Sequence, residues 1–325
     1  MRRAERPDKR PDGLSGLAPE HSLKRLELTV TRRLDGLLHG EHLGMLPGPG
    51  SDLAEARLYQ PGEDDVRHMD WSVTARTTVP HVRDLIADHE LETWALADMS
   101  SSMDFGTALM EKRDLVVAAL AAIGFLTTRL GDRMGAYILH DSGVRRWPAR
   151  TGRVAMYALL QELLDSPRST RVHRGPPLAS ALDGLARSQL KRGLRVVISD
   201  FLDHRQTPDG ELAWESPLRR LAARHQVIAV EIIDPRELDL PDIGPVMMSD
   251  PETGEVREII LTAKVRAAYA EAAAAQRERT RDTIRRCGVS HLVLRTDRDW
   301  VNDVARFALR QRRVAGRARP QGSRA

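Results

Sequence analysis

The sequence predicts an α/β fold, with a doubly wound, mostly parallel sheet and helices on both faces. Apolar runs of strand length alternate with helical patterns from residue 93 onward, an order typical of parallel strands joined by crossover helices. These runs are nearly continuous in apolar residues, as strands buried on both faces require. Three of them end in aspartate, at Asp98, Asp200 and Asp234. This pattern places acids at the carboxyl edge of the sheet, where such folds bind ligands.

The elements of this α/β domain follow one another without long gaps. Strands are predicted over 93–98, 133–140, 194–201, 226–234 and 289–297, with an edge strand over 143–150 and a hairpin over 244–261. Helices are predicted over 111–131, 151–166, 178–193, 217–225, 263–286 and 299–314. Thr151 is the expected N-cap of the second of these helices.

Four segments are predicted along the chain. Residues 1–20 form a basic, disordered tail, and 21–92 form a helix over 21–38 followed by short strands and loops that pack on the core. Residues 93–315 form the α/β domain, and 316–325 form a second basic, disordered tail.

Composition limits the class of protein. The 325 residues are 41% apolar, which is enough for a packed core, and the formal charge of +4 is too small to imply nucleic-acid binding. Cys287 is the only cysteine, so a reducing compartment and a buried, inert thiol are expected. The longest apolar run, 115–126, is shorter than the roughly 20 residues of a spanning helix. With no secretory pattern at the start, a soluble cytoplasmic protein without transmembrane segments is expected.

The stretch DMSSSM at 98–103 follows the first strand of the α/β domain. Asp98, Ser100 and Ser102 alternate, so one tight loop can turn three oxygens toward a hard cation such as Mg²⁺. Because hydroxyls carry little charge, a partner's acidic side chain could complete such a site. Helix capping is an alternative, although the next helix starts several residues later. A serine nucleophile is a third reading, but the Gly-x-Ser-x-Gly elbow is absent.

The Asp-x-Ser-x-Ser pattern resembles the first loop of a metal-ion-dependent adhesion site, as found in von Willebrand factor A-like domains. The resemblance implies a Rossmann-like fold and a third-loop aspartate, which Asp200 supplies. It implies Mg²⁺, with Mn²⁺ or Ca²⁺ as alternatives, held at Asp98, Ser100, Ser102 and Asp200. The serines would be direct ligands, and the aspartates would hold the metal's waters.

The second loop of such sites departs from the pattern here. A threonine is expected just before a helix, but Pro176 and Pro177 occupy that place in HRGPPLASALDGL. Thr170 lies too early and Ser180 is already inside the predicted helix. Water is therefore expected to replace the missing hydroxyl, and metal binding is expected to be weak.

A longer motif, RLYQPGEDDVRHMDWSVTARTTVPHVRD, precedes the first strand of the α/β domain. It resembles the bacterial family called domain of unknown function 58 over about residues 40–205, through Arg57, Tyr59, Gly62, Arg67, Asp70, Trp71, Ala75 and Arg76. Members typically occur with MoxR-type AAA+ ATPases. Within this segment, Arg67, Asp70 and Arg76 are expected to form a bracing ion-pair cluster. Trp71 is expected to be a packing anchor.

Two main functions follow from these residues. The leading prediction is a non-enzymatic interaction module that binds a divalent cation and docks a partner carboxylate. The expected partner is a MoxR-like AAA+ ATPase or a protein that it remodels.

The alternative is a metal-dependent nuclease or phosphohydrolase with Asp98, Asp104, Asp200 and Asp203 as ligands. A third reading, nucleic-acid binding through the arginine-rich end, lacks an accompanying recognition motif, so no specific nucleic acid is expected. The sequence does not predict the oligomeric state.

Overall fold

The computed structural model describes residues 26–28, 30, 32–33, 56–60, 69, 71–83, 92–128, 132–168, 176–188, 191–203, 205–249 and 256–318. In chain order, the strands are β1 (Ala56–Leu58), β2 (His81–Arg83), β3 (Glu92–Asp98), β4 (Arg133–His140), β5 (Gly143–Arg150), β6 (Leu194–Ser199), β7 (Gln226–Ile233), β8 (Pro245–Ser249), β9 (Val256–Ile260) and β10 (Ser290–Arg295). The helices are α1 (Trp71–Thr77), α2 (Lys112–Thr128), α3 (Arg153–Leu164), α4 (Leu178–Ser188), α5 (Glu215–Ala222), α6 (Ala263–Arg286) and α7 (Trp300–Ala318).

Six strands form the central sheet in the order β10-β7-β6-β3-β4-β5. All neighbours are parallel except β5, which runs antiparallel to β4 at the edge. The chain moves from β3 to β4 on one side and later returns to β6 on the other. The gap between the carboxyl ends of β3 and β6 is therefore the point where the winding reverses, and ligand sites form there in such sheets. The predicted doubly wound α/β fold is confirmed.

Helices cover both faces of this sheet. Buried residues of α2, α3 and α7 pack on one face, and those of α4, α5 and α6 pack on the other. Side chains along β3 alternate between the two faces of the sheet. Ala95 and Ala97 belong to the core on the first face, and Trp94 and Leu96 belong to the core on the second. In the part of the chain that the structure describes, no helix combines the length and apolar character needed to cross a membrane.

Most predicted elements are confirmed, with differences at their ends. The edge strand β5, the antiparallel hairpin of β8 and β9, and helix α6 occur where the sequence places them. Helix α3 instead begins after Gly152, whose φ is +88° and which provides no side-chain cap. The predicted Thr151 cap is therefore wrong, because a glycine in a left-handed conformation separates it from the helix.

The segment before the sheet is described only in part. The described residues among 26–33 are helical, and Leu26 and Val30 are buried in the core beside α2. Strands β1 and β2 pair antiparallel, and α1, which the sequence did not predict, lies between them in the chain.

Two predictions about this segment have different outcomes. Trp71 opens α1 with 68% of its surface exposed, so the predicted packing anchor is wrong for this chain by itself. The proposed ion-pair cluster depends on Arg67 and Asp70, which lie outside the described residues.

The predicted tails also lie mostly outside the described residues. Residues 1–20 and 319–325 are not described, whereas α7 extends to Ala318, past the predicted boundary at 315. The other domain boundaries stay predictions.

Close packing across β3 and β4 gives a test of the core. A Cβ added at Gly135 would lie 2.7 Å from the Trp94 ring, which is almost fully buried. We expect Gly135→Ala to lower the free energy of unfolding by about 1–3 kcal/mol through overpacking. Gly184→Ala is the control, because its Cβ meets nothing within 4 Å and alanine favours a helix by roughly 0.5–1 kcal/mol. Urea denaturation measures both, and equal effects would contradict this view of the core.

Candidate metal site

Asp98, the last residue of β3, is held from two sides. Its Oδ1 accepts hydrogen bonds from the Ser100 amide at 3.0 Å and the Ser100 hydroxyl at 2.6 Å. Its Oδ2 accepts one from the hydroxyl of Ser199, the last residue of β6, at 2.7 Å. The carboxylate is therefore fixed between adjacent strands, with 4% of its residue surface exposed.

The three serines divide into two groups. Ser100 and Ser102 face the site, with their hydroxyl oxygens 3.3 Å apart, and the Ser102 hydroxyl hydrogen-bonds to Asp200. Ser101 turns away, and its amide donates to Asp141 at 3.2 Å. Each hydroxyl has one proton, and bonds to carboxylates are the stronger ones. Both facing hydroxyls therefore donate to carboxylates, and their lone pairs remain available to a cation.

Asp200 lies on the far side of this gap, directly after β6. Its Oδ1 accepts the Leu202 amide at 3.1 Å, and its Oδ2 accepts Lys112 Nζ at 2.8 Å. The turn is maintained by Phe201, whose φ of +55° is uncommon for a non-glycine residue. Edge-on packing of Phe201 against Trp214, with ring centroids 5.3 Å apart, stabilises this conformation.

Lys112 is a member of the site that sequence reasoning missed. It is the first residue of α2, it is fully buried, and its ammonium contacts both Asp200 and Glu237. It also lies 5.9 Å from the centroid of the Phe105 ring. The lysine has no distinctive sequence signal, and Glu237 is distant in the chain. Ser199 could have been found, because it is a hydroxyl at the end of a buried strand.

Asp234, the third aspartate predicted at the end of a strand, has a structural role. Its carboxylate accepts the Thr107 amide at 2.8 Å and the Thr107 hydroxyl at 2.6 Å. It also accepts the Thr296 hydroxyl at 2.8 Å and the Arg236 amide at 2.9 Å. Asp234 therefore ties the ends of β7 and β10 to the loop before α2.

Helix capping does not account for the serines. Ser100 precedes a single 3₁₀ turn, Ser101–Met103, but its side chain makes no capping bond. Helix α2 starts only at Lys112. Both site-facing hydroxyls bond to carboxylates, so their positions serve the gap between Asp98 and Asp200.

The second loop offers no hydroxyl from the residues that the structure describes there. Pro176 and Pro177 lead directly into α4, and the Leu178 amide is taken by Asp203 at 3.2 Å. Ser180 lies inside α4 and is exposed, and Thr170 lies outside the described residues.

Two of the four carboxylates proposed for the alternative hydrolase, those of Asp104 and Asp203, have other partners. Asp104 pairs with Arg113 at 2.8 Å, and Asp203 caps α4 and contacts Arg205. Among the described residues, no group of three or more acids, histidines or cysteines is arranged to hold a metal. The geometry therefore does not favour two-metal hydrolysis, which needs several direct carboxylates.

The pKa values of Asp98 and Asp200 are shifted in opposite directions. Burial and the nearby Asp200 raise the pKa of Asp98 to about 6. Burial also raises the pKa of Asp200, but the Lys112 ammonium outweighs this and holds it below its ordinary value. Lys112 is affected in turn: burial lowers its pKa, yet Asp200 and Glu237 together raise it above its usual range. In the absence of a further cation, the ionised form of Asp98 is therefore the least favourable charge in the site.

The donor set fits a hard divalent cation. The groups that converge here are two carboxylates and two hydroxyls, all oxygen ligands of the kind that Mg²⁺ prefers. The hydroxyl protons point to carboxylates, which leaves oxygen lone pairs for a metal. Both aspartates are already hydrogen-bonded, so acceptance of metal-bound water suits them better than direct ligation.

The raised pKa of Asp98 gives a pH test on metal-free protein. The folded state retains the proton between about pH 4 and 6, where the unfolded state releases it. The contribution of Asp98 to stability therefore falls as pH rises through this window. We expect Asp98→Asn to be more stable relative to wild type at pH 8 than at pH 5, in urea melts with EDTA. Asp209→Asn is an exposed control for the loss of one carboxylate, and a pH-independent difference for Asp98→Asn would refute the assignment.

Comparisons with known proteins agree with this architecture. The sequence profile described as "Protein of unknown function DUF58" matches residues 55–279. The Mycobacterium tuberculosis protein named uncharacterized protein Rv1480 is 53% identical over 294 residues, covering 90% of each chain.

Two solved structures resemble the chain more distantly. The aerotolerance-related membrane protein from Bacteroides fragilis aligns at 14% identity and a TM-score of 0.39, over 68% of this chain and 98% of that one. The von Willebrand factor type A protein from Catenulispora acidiphila aligns at 12% identity and a TM-score of 0.35, over 71% and 43%. The order and directions of the six strands agree with the von Willebrand factor A-like fold that the sequence predicts. The profile match and the mycobacterial relative establish that the chain belongs to the DUF58 family.

Proposed function

We propose that this protein is a non-enzymatic, cytoplasmic interaction module that binds Mg²⁺ and uses it to dock a carboxylate of a partner protein. The observation that carries the proposal is the convergence of Asp98, Ser100, Ser102 and Asp200 at the point where the winding of the sheet reverses. Mn²⁺ or Ca²⁺ would suit the same oxygen donors.

The serines and the aspartates of the site have different proposed roles. Ser100 and Ser102 would present hydroxyl oxygen lone pairs to the ion, while their O–H groups donate to the carboxylates. Asp98 and Asp200 supply negative charge and accept hydrogen bonds from the ion's waters. The bound ion supplies an electrophilic position for an anionic ligand. Because only hydroxyls of this chain would ligate the ion directly, that position would favour a carboxylate from outside the chain.

The partner in this proposal is a MoxR-type AAA+ ATPase or a protein that such an ATPase remodels. Support comes from membership of the DUF58 family, because the resemblance to that family implies this partner. The donor set of carboxylates and hydroxyls, without a cluster of three or more acids among the described residues, also suits docking better than hydrolysis. A partner Asp or Glu would complete the ion's coordination. Metal and partner would then raise each other's affinity by the same factor.

The serine alternation provides a matched test of metal binding. Ser100→Ala combined with Ser102→Ala removes two proposed ligands and little volume, so we expect the fold to persist and Mg²⁺ binding to be lost. Ser101→Ala is the control, because Ser101 turns toward Asp141, and it should bind Mg²⁺ like wild type. Isothermal titration calorimetry measures binding, and circular dichroism checks folding. Equal Mg²⁺ affinity in the double variant and wild type would sink the proposed ligand set.

Partner docking is tested separately. We expect the purified protein to bind the MoxR-type ATPase of its own organism in Mg²⁺ and to lose at least about tenfold in affinity in EDTA, a difference of roughly 1.4 kcal/mol. The double serine variant should bind weakly in both buffers. Metal-independent association would contradict carboxylate docking. Mg²⁺-dependent turnover of RNA, DNA or a generic phosphoester would contradict the non-enzymatic role.

A further inference from the structure

We propose that Lys112 is a built-in cation that competes with the divalent metal for Asp200 and so sets the metal affinity of the site. The inference deepens the proposed function, on which it rests, and concerns the regulation of the same site. It makes Lys112 a positioning residue, since it acts on the metal through Asp200.

The burial of Lys112 is the first observation behind this proposal. Lysine is almost never fully buried unless it is paired, yet Lys112 has no exposed surface. Its ammonium lies 2.8 Å from Asp200 Oδ2 and also contacts Glu237 Oε1. Glu237 is itself held, because its Oε2 accepts the Asp234 amide at 3.1 Å. The lysine is thus fixed beside the metal-binding gap.

The charge balance of the site is the second observation. Asp98, Asp200 and Glu237 provide three carboxylates, and Lys112 provides one ammonium. With all four groups ionised, the net charge is two negatives, which one divalent ion would neutralise. Without the ammonium, a third negative charge would attract the ion further, because Coulomb energies grow in a partly buried site.

Competition follows from the contact of Lys112 with Asp200. The ammonium occupies one oxygen of this carboxylate, and its positive charge repels a second cation nearby. It also stabilises the protein without a bound metal, because the buried Asp200 and the partly buried Glu237 would otherwise lack a cation. The site is therefore stable when empty and binds its metal weakly. A partner carboxylate adds the negative charge that the ammonium cancels, so metal binding is strongest when the partner docks.

The decisive variant is Lys112→Met, which keeps much of the side-chain volume and removes the charge. We expect its Mg²⁺ affinity to rise by at least about tenfold over wild type. In EDTA its melting temperature should fall, and saturating Mg²⁺ should raise it by more than it raises wild type. Lys264→Met is the matched control, because Lys264 is exposed in the first turn of α6; it should match wild type in both readouts.

A second variant, Glu237→Gln, allows the proposal to be tested even if Lys112→Met does not fold. Glu237→Gln removes one negative charge and leaves Lys112 to Asp200 alone, so we expect Mg²⁺ affinity to fall. Opposite shifts in the two variants are the signature of charge competition, and a lower affinity in Glu237→Gln supports it when only that variant folds. A purely structural lysine would lower the melting temperature equally in Mg²⁺ and EDTA, with unchanged metal affinity.

The outcomes separate this inference from the proposed function. If wild type binds Mg²⁺ and both charge variants bind it with the same affinity, Lys112 does not compete and the inference is wrong, while the metal site stands. If wild type, Lys112→Met and Glu237→Gln all fold and none binds Mg²⁺ by calorimetry, the proposed metal site itself is wrong, and the inference fails with it.

Discussion

The buried ion pair between Lys112 and Asp200 is the interaction on which the site depends. Asp98 and Asp200 end neighbouring strands, so the sheet brings two negative charges to one buried gap. Such charges persist in a protein interior only when they are paired or bound to a cation. Lys112 provides that compensation from the start of α2, and the serine hydroxyls provide hydrogen bonds. The chain's own residues thereby compensate the charge of this anionic gap.

The same edge of the sheet carries a second, structural network. Asp234 links the ends of β7 and β10 to the loop before α2 through Thr107 and Thr296. Its backbone amide also bonds Glu237, which contacts Lys112. The candidate metal site is therefore connected, by contiguous polar contacts, to the loop that leads into the hairpin of β8 and β9.

For the proposed function, the arrangement implies weak metal binding that depends on the partner. Hydroxyl ligands would leave the ion short of negative charge, and Pro176 and Pro177 stand where a second-loop hydroxyl is expected. A carboxylate from the partner would supply the missing negative charge. Association would then require metal and partner together, as suits a module that binds and releases proteins while an ATPase works.

By itself, the sequence determined the elements of the sheet, the two helical layers and the first ligands of the candidate site. Periodicity is local, and Asp98, Ser100 and Ser102 lie within five residues, so their shared direction can be inferred from one loop. Asp200 was accessible because parallel strands place their carboxyl ends together. Helix α1 and the exposure of Trp71 were not predicted, because burial depends on what the surrounding chain covers.

Only the tertiary structure decided the role of the remaining residues. Lys112 and Glu237 meet although 125 positions separate them, and nothing local distinguishes a buried lysine from an exposed one. Asp234 ends a strand at the same edge of the sheet, and its carboxylate is hydrogen-bonded by Thr107, Thr296 and Arg236. Pairing between distant charges depends on how helices pack on the sheet. That packing determines which strand-end acids hold the fold together and which remain available to a metal.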